Sequence, residues 1–220
     1  MQQARPDLAV PQLAVRRLSL YLRQLEAFQK KELRKLSSRQ LGESLGLTDA
    51  QVRKDLAYFG QFGHPGVGYR IDELIPQLRR VLGTDKTWSV LLVGAGNLGR
   101  ALIAYKGFER KGFRLAAVFD ADPAKVSKKL ANFRIQPLAE LPETIAQNAV
   151  RLAIIAVPAD FAQDVADTLV AAGIRGILNF APVSLTVPPE VGVATVDLAV
   201  QLEQLSFQVN LATALPKGCS

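Results

Sequence analysis

The sequence predicts an α/β chain in two parts: an N-terminal winged-helix domain, then a Rossmann-like doubly wound parallel sheet closed by a C-terminal helix. Three observations carry this. From about residue 88 onward, short and near-continuously apolar runs alternate with helical stretches, as buried parallel strands and their crossover helices do. Before that point the apolar residues recur at three- and four-residue spacing, the helical period. The charge is also lopsided: residues 1–87 hold 15 Lys/Arg against 9 Asp/Glu, whereas residues 88–220 hold 12 against 11. Nearly all of the net +7 therefore lies in the first part, which suits a polyanion partner for that part alone.

Each element can be justified in order. Leu18, Tyr21, Leu22, Leu25 and Phe28 mark an amphipathic first helix. Ser37 with Gln40 is a capping-box signal for a second helix, "RQLGESLG", which Gly46 ends. Thr48 with Gln51 caps a third, "DAQVRKDLAYF". Two short helices joined through a glycine turn form a helix-turn-helix, with Leu41, Leu45, Leu47, Val52 and Leu56 as its core. The segment "GQFGHPGVGYRI" has four glycines within residues 60–68 and then a strand-like end, which reads as a wing hairpin. Residues 72–83 make a fourth helix, and the boundary falls near 83–87. Beyond it, "WSVLLV" (88–93), "FRLAAVF" (113–119), "VRLAIIAV" (150–157), "GILNF" (176–180) and "VGVATV" (191–196) are strands, with helices at 98–111 and 160–172. A last helix, 197–212, puts Leu198, Leu202, Leu205 and Val209 on one face, to pack on its own domain or on a partner. The expected domains are thus 1–85 for DNA, 86–197 for a nucleotide and 198–220 for dimerisation.

Composition removes several function classes. With 49% apolar and 21% charged residues, the 220-residue chain can bury a core. No apolar run approaches the roughly 20 residues of a membrane helix. The start, "MQQARPDLAVPQ", lacks the apolar region of a signal peptide, so a cytoplasmic location without a membrane partner is expected. The single cysteine, Cys219, excludes an intramolecular disulfide and a cysteine-based zinc site, and no metal is expected.

Two sets of residues carry the expected chemistry. On the third helix Arg53, Lys54 and Tyr58 point away from Val52 and Leu56, where a recognition helix bonds guanine edges or clamps phosphates. Gln51 could read adenine or meet a phosphate, and Asp55 is assigned a structural role because a carboxylate facing phosphate is unfavourable. The alternative is a merely solvated helix face. In the second part, "GAGNLG" (94–99) follows a strand and opens a helix, and Asp120 ends the next strand 21 residues after Gly99. Gly94 permits the turn, Gly96 the approach of a pyrophosphate, and Gly99 close helix–strand packing. The helix start at Ala95, Asn97 and Leu98 then offers its free N–H groups to the phosphates. Asp120 is placed for the adenosine ribose hydroxyls, favouring NAD over NADP; Asp122 could substitute. Lys125, Lys128 and Lys129 weaken the exclusion of a 2′-phosphate. Val157 and Pro158, in "AVPAD", and the strand end "NFAPV" suit a nicotinamide pocket, or are ordinary strand-to-helix turns. A dehydrogenase needs a proton donor near the nicotinamide, but the only histidine, His64, falls in the wing. A nucleotide site without catalytic residues suggests sensing.

The segments "QVRKDLAYFGQFG", "GVGY", "VGAGNLGRALIAY", "FDADPAK", "IIAVPA", "NFAPV" and "VDLAVQLEQLSF", in this order, resemble the Rex family of redox-sensing transcriptional repressors along nearly the whole chain. The resemblance implies a homodimer with a swapped C-terminal helix, bound to an inverted-repeat operator in double-stranded DNA. It further implies binding of both NADH and NAD, with NADH releasing the operator. It also implies a switch in which Asp197 pairs with Tyr105 in one state and Arg23 in the other, with the Tyr105 ring sensing the nicotinamide. His64-Pro65 departs from the family, whose wings carry a basic residue there, so His64 is the expected but altered minor-groove contact. The rival readings are a small NAD-dependent dehydrogenase and a CoA-binding module, the latter opposed by Asp120.

Overall fold

The structure, a computed structural model, describes residues 11–63 and 68–214. The chain divides into two compact units, one ending at Lys86 and the other starting at Thr87.

The first unit is built on α1 (Gln12–Lys30), whose inward stripe of Ala14, Leu18, Tyr21, Leu22 and Leu25 is buried. α2 (Ser38–Glu43) begins with a complete capping box: the Gln40 N–H donates to the Ser37 hydroxyl, and the Ser37 N–H to the Gln40 side chain. α3 (Asp49–Ala57) is capped by Thr48, which accepts from the Gln51 N–H. Leu41, Val52 and Leu56 are buried with the α1 stripe, and Leu45 and Leu47 pack half-buried on its edge. α4 (Ile71–Val81) closes the core with Ile71, Leu74, Ile75 and Leu78.

The tip of the expected wing hairpin, residues 64–67, lies outside the described residues, but Gly63 sits directly against Gly68 and Tyr69. The described residues 60–63 form no strand, and β2 (Tyr69–Arg70) pairs antiparallel with β1 (Lys35–Leu36), which precedes α2. Gly60 and Gly63 hold φ of +130° and +74°, conformations that glycine supplies in turns. The strand that pairs with β2 comes from upstream, where Leu36 is anchored in the core. His64 lies outside the described residues.

The second unit is a seven-stranded sheet. β3 (Trp88–Val93), β4 (Phe113–Asp120), β5 (Lys129–Leu130), β6 (Phe133–Pro137), β7 (Leu152–Ile155), β8 (Gly176–Asn179) and β9 (Gly192–Thr195) stand in the order β5-β6-β4-β3-β7-β8-β9. All neighbours are parallel except the short antiparallel β5. The six parallel strands therefore run 3-2-1-4-5-6 in chain order, the doubly wound arrangement whose order reverses between β3 and β7. Alternate residues of β3 feed opposite cores: Leu91 and Val93 join one cluster, Val90 and Leu92 the other.

The crossover helices are α5 (Asn97–Ala104), α6 (Gly107–Arg110), α7 (Leu141–Asn148) and α8 (Ala159–Ala171). The single helix expected over 98–111 is broken. Tyr105 turns to an extended backbone (φ −78°, ψ 96°), and its ring lies against Gly107, where a Cβ would collide with it. β5, β6 and α7 have no counterpart among the elements expected from sequence. α9 (Leu198–Ala214) leaves the sheet with every residue from Leu198 to Leu211 exposed. Its apolar side chains are not confined to the expected face, because Val200, Phe207 and Leu211 are exposed beside Leu198, Leu202, Leu205 and Val209.

Candidate functional site

β3 ends where the sheet order reverses, and its end is tied to both neighbours. The Gly94 N–H donates to the Phe119 carbonyl and the Ala156 N–H to the Val93 carbonyl, each at 2.8 Å. The chain then turns at Gly94 with φ +106°, where a Cβ would run into the Ala156 carbonyl. A Cβ on Gly99 would strike the Gly94 carbonyl, so the helix can sit this close to the strand only with glycine at both positions. On Gly96, by contrast, a Cβ would meet nothing within 4 Å. That open side is where a phosphate group can approach the first turn of α5, whose leading N–H groups have no partner within the helix.

A cavity of about 810 Å³ opens at this point. Its wall includes Gly94, Gly96, Asn97, Leu98, Asp120, Asp122, Val157 and Pro158, so eight of the sequence-predicted residues converge. The size suits a dinucleotide or one large part of it. Three predicted residues do not line it. Ala95 is buried in the core and contributes only its N–H, which donates to Asp120 Oδ2 at 2.8 Å. Gly99 is buried behind the turn. Tyr105 is 58% exposed and packs edge-on against Phe108, ring centroids 5.1 Å apart.

Asp120 is the most constrained polar group in the wall. Its Oδ2 accepts from the Ala95 N–H, its Oδ1 from the Asp122 N–H at 2.9 Å, and Lys125 Nζ lies 3.2 Å from Oδ2. Burial pushes the carboxyl upward, but the two backbone donors and Lys125 together outweigh it and hold Asp120 below the ordinary carboxylate range. It is thus an anion at neutral pH, with Lys125 over the oxygen positions not taken by backbone.

Part of the wall was not anticipated from sequence. Leu138 and Leu141 enter from the segment after β6, and Phe161, Asp164, Val165 and Thr168 from α8, whereas Phe180, at the end of β8, belongs to the expected "NFAPV" strand end. The α8 residues are spaced as one helical stripe, and that spacing was the available signal.

In the first unit Asp55 is buried at the centre of a polar cluster joining α1 to α3. Arg17 Nε donates to Oδ2 at 2.5 Å, its second nitrogen to Oδ1 at 2.8 Å, the Tyr21 hydroxyl to Oδ2 at 2.7 Å, and the Gln51 amide to Oδ1 at 2.7 Å. Burial raises the Asp55 carboxyl, and these four donors more than reverse it, leaving it below the usual range. Burial, seconded by the bond to Asp55, pushes the Tyr21 phenol far above its ordinary value. The half-exposed Gln51, expected to read adenine or meet a phosphate, here donates its amide inward to Asp55. Arg53 and Lys54 are exposed on α3, and Tyr58 is half-buried at its end. One Arg53 nitrogen donates to both Asp49 (2.6 Å) and Ser38 Oγ (3.1 Å), which holds the guanidinium over the junction of α2 and α3.

Of the residues expected to switch, Arg23 is exposed on α1, and Asp197 Oδ1 accepts from the N–H groups of Ala199 and Val200 at 2.9 and 3.2 Å. In this arrangement Asp197 caps α9 rather than meeting Tyr105. Among the described residues, no cluster of His, Cys, Asp and Glu is placed to hold a metal ion, and no helix is long and apolar enough to cross a membrane.

Residues 85–183 match the family model described as "CoA binding domain", and residues 9–57 the one described as "Putative DNA-binding protein N-terminus". The redox-sensing transcriptional repressor Rex of Carboxydothermus hydrogenoformans is 49% identical over 201 residues, 91% of this chain and 97% of that protein. The protein of the same name from Streptomyces avermitilis is 46% identical over 198 residues, 90% of this chain and 79% of that one. Among solved structures, RSP in complex with β-NAD+ and operator DNA aligns with a TM-score of 0.88 at 39% identity, covering 94% of this chain and 95% of that chain. RSP in complex with β-NADH aligns with a TM-score of 0.84 at 37% identity, covering 94% and 97%.

Proposed function

The chain belongs to the Rex family of redox-sensing transcriptional repressors, and from that premise we propose how its two units divide the work. It is a DNA-binding regulator rather than an enzyme, and it reports the NADH/NAD balance by holding or leaving its operator. The observation that carries this is the coincidence, in one chain, of a capped helix-turn-helix with an exposed basic face and a Gly94–Asp120 cavity at the switch point of a 3-2-1-4-5-6 sheet.

In the first unit, Arg53 and Lys54 on α3 meet the duplex, Arg53 at a base edge and Lys54 at a phosphate, with Tyr58 at the rim. His64 is assigned the wing contact. In the second unit, the first turn of α5 takes the pyrophosphate and Asp120 the adenosine ribose hydroxyls. A free ribose diol fits this carboxylate; the 3′-phosphate of CoA would be repelled by it, which disfavours a CoA module. The α9 helix, exposed along its length, is assigned to the two-fold partner, and the homodimer matches an inverted-repeat operator.

NADH and NAD differ by one hydride and one positive charge at the nicotinamide ring. Such a difference acts on the operator only through unequal affinity for the DNA-competent and released states. Moving the population from 99:1 to 1:99 takes a ratio of about 10⁴ between them. The switch is assigned to Tyr105, Asp197 and Arg23. Asp197 must then leave the N–H groups of Ala199 and Val200, so the start of α9 is the bistable element.

The test is operator binding titrated with NADH at several fixed NAD concentrations. The reading expects NADH to free the operator and NAD to shift that curve to higher NADH. Operator affinity indifferent to NADH would end it.

A further inference from the structure

Lys125 stands between the two acidic side chains at the ribose end of the cavity. Its ammonium lies 3.2 Å from Asp120 Oδ2, 3.4 Å from Asp120 Oδ1 and 3.6 Å from Asp122 Oδ2. A carboxylate offers about four lone-pair positions. On Asp120 two of these face backbone, taken by the N–H groups of Ala95 and Asp122. The remaining positions are the ones a ribose diol needs, and Lys125 covers them.

The same turn supplies somewhere for the ammonium to go. Asp122 Oδ1 accepts from the Ala124 N–H at 2.9 Å, which pins that side chain in its own turn and leaves Oδ2 toward Lys125. The lysine is 36% exposed, while Asp120 beneath it is only 10% exposed. The mobile partner is therefore the cation, and the fixed one is the selecting carboxylate.

We propose that Lys125 is a second determinant of nucleotide specificity: it covers Asp120 in this arrangement, passes to Asp122 when a ribose diol takes Asp120, and receives the 2′-phosphate of an NADP-type ligand when one enters. The proposal rests on the dinucleotide reading of the cavity. Asp120 continues to oppose a dianion behind the lysine, so NADPH binds more weakly than NADH, but by a margin that Lys125 narrows. Asp122 is a positioning residue in this scheme, acting through Lys125 rather than on the ligand.

The experiment is calorimetric titration of the full chain with NADH and with NADPH. Lys125→Gln weakens NADPH about tenfold or more, the worth of one charge-assisted phosphate contact, and leaves NADH unchanged or tighter. Asp122→Asn does the reverse: Lys125 stays on Asp120, so NADH weakens several-fold and NADPH does not. In an Asp120→Ser background, where NADPH affinity rises, adding Lys125→Gln removes the gain. Equal factors for the two nucleotides in Lys125→Gln, or an NADPH gain in Asp120→Ser that is absent or survives without Lys125, overturn the proposal. Failure of the unaltered chain to bind NADH would instead overturn the dinucleotide reading itself.

Discussion

Asp55 in the first unit and Asp120 in the second are both buried carboxylates held below the ordinary acid range. What surrounds them differs. Asp55 accepts from Arg17 and Tyr21 of α1, which lock α3 to α1, and from Gln51 one turn away on α3 itself. Asp120 is held by two backbone N–H groups of its own turns and one half-exposed lysine, and it faces a cavity. A carboxylate whose partners are all internal and fixed is structural. One held by backbone and covered by a movable cation is ready to exchange that cover for a ligand. The same residue type, with a pKa lowered in the same direction, thus does two kinds of work.

The sharpest way to break this contrast is Asp55→Ala. It strands Arg17, Tyr21 and Gln51 and is expected to destabilise the first unit by about 3 kcal/mol or more, read by thermal or urea unfolding, with operator binding lost as a consequence. The pH dependence gives the sign independently. A carboxyl whose folded pKa is depressed stabilises fully above its unfolded value, about 3.9, and loses that contribution as pH falls through the lower folded value. The first unit should therefore lose stability progressively as pH falls below about 4, and Asp55→Asn should flatten that dependence. A variant as stable as the parent would erase the distinction between the two sites.

Asp120→Ala should do the opposite. The fold and the operator affinity without nucleotide should stay nearly intact, while NADH affinity falls by about ten- to a hundredfold, the worth of hydrogen bonds to a charged group. Calorimetry settles it, and unchanged NADH affinity would transfer the ribose contact to Asp122 or remove it.

Smaller effects refine the DNA side. Arg53→Ala should cost about 1–3 kcal/mol of operator affinity while sparing non-specific binding. Lys54→Ala should weaken both alike and reduce the salt slope by about one. Normal operator binding in the double variant would move the interface off α3. Least in energy, Asp197→Ala removes the cap of α9, about 1 kcal/mol, and should blunt the difference between NADH and NAD; Tyr105→Phe should blunt it without touching the cap. Wild-type NADH release in both variants would place the switch elsewhere.

The comparison also explains what could be read from sequence. Local signals were sufficient wherever the cause was local: "WSVLLV" is a near-continuous apolar run, and the observed β3 (Trp88–Val93) matches it end to end. The capping residues Ser37 and Thr48 likewise mark α2 and α3 because each satisfies an N–H three residues ahead. Asp55 was assigned a structural role, yet its partners could not be named, since Tyr21 and Arg17 lie 34 and 38 residues away. β2 was visible as strand-like while its partner was not, because nothing in Lys35–Leu36 announces a two-residue strand. The cavity wall from α8 was missed for a different reason. Phe161 and Val165 read as ordinary helix stripe residues until the sheet order brings them to face Asp120's side of the reversal.

The exposed α9 has a consequence for the amount of repressor a cell keeps. Leu198, Leu202, Phe207 and Val209 are each 61–67% exposed in the single chain, and most helical stability in proteins comes from packing an apolar face. With α9 assigned to the two-fold partner, as proposed above, its order is tied to association and so to concentration by mass action. Diluting the protein should lower its helical circular dichroism as well as its oligomeric mass. Below that threshold the operator would lose its reader regardless of redox state, and the set-point would depend on protein abundance as well as on the nucleotide pool.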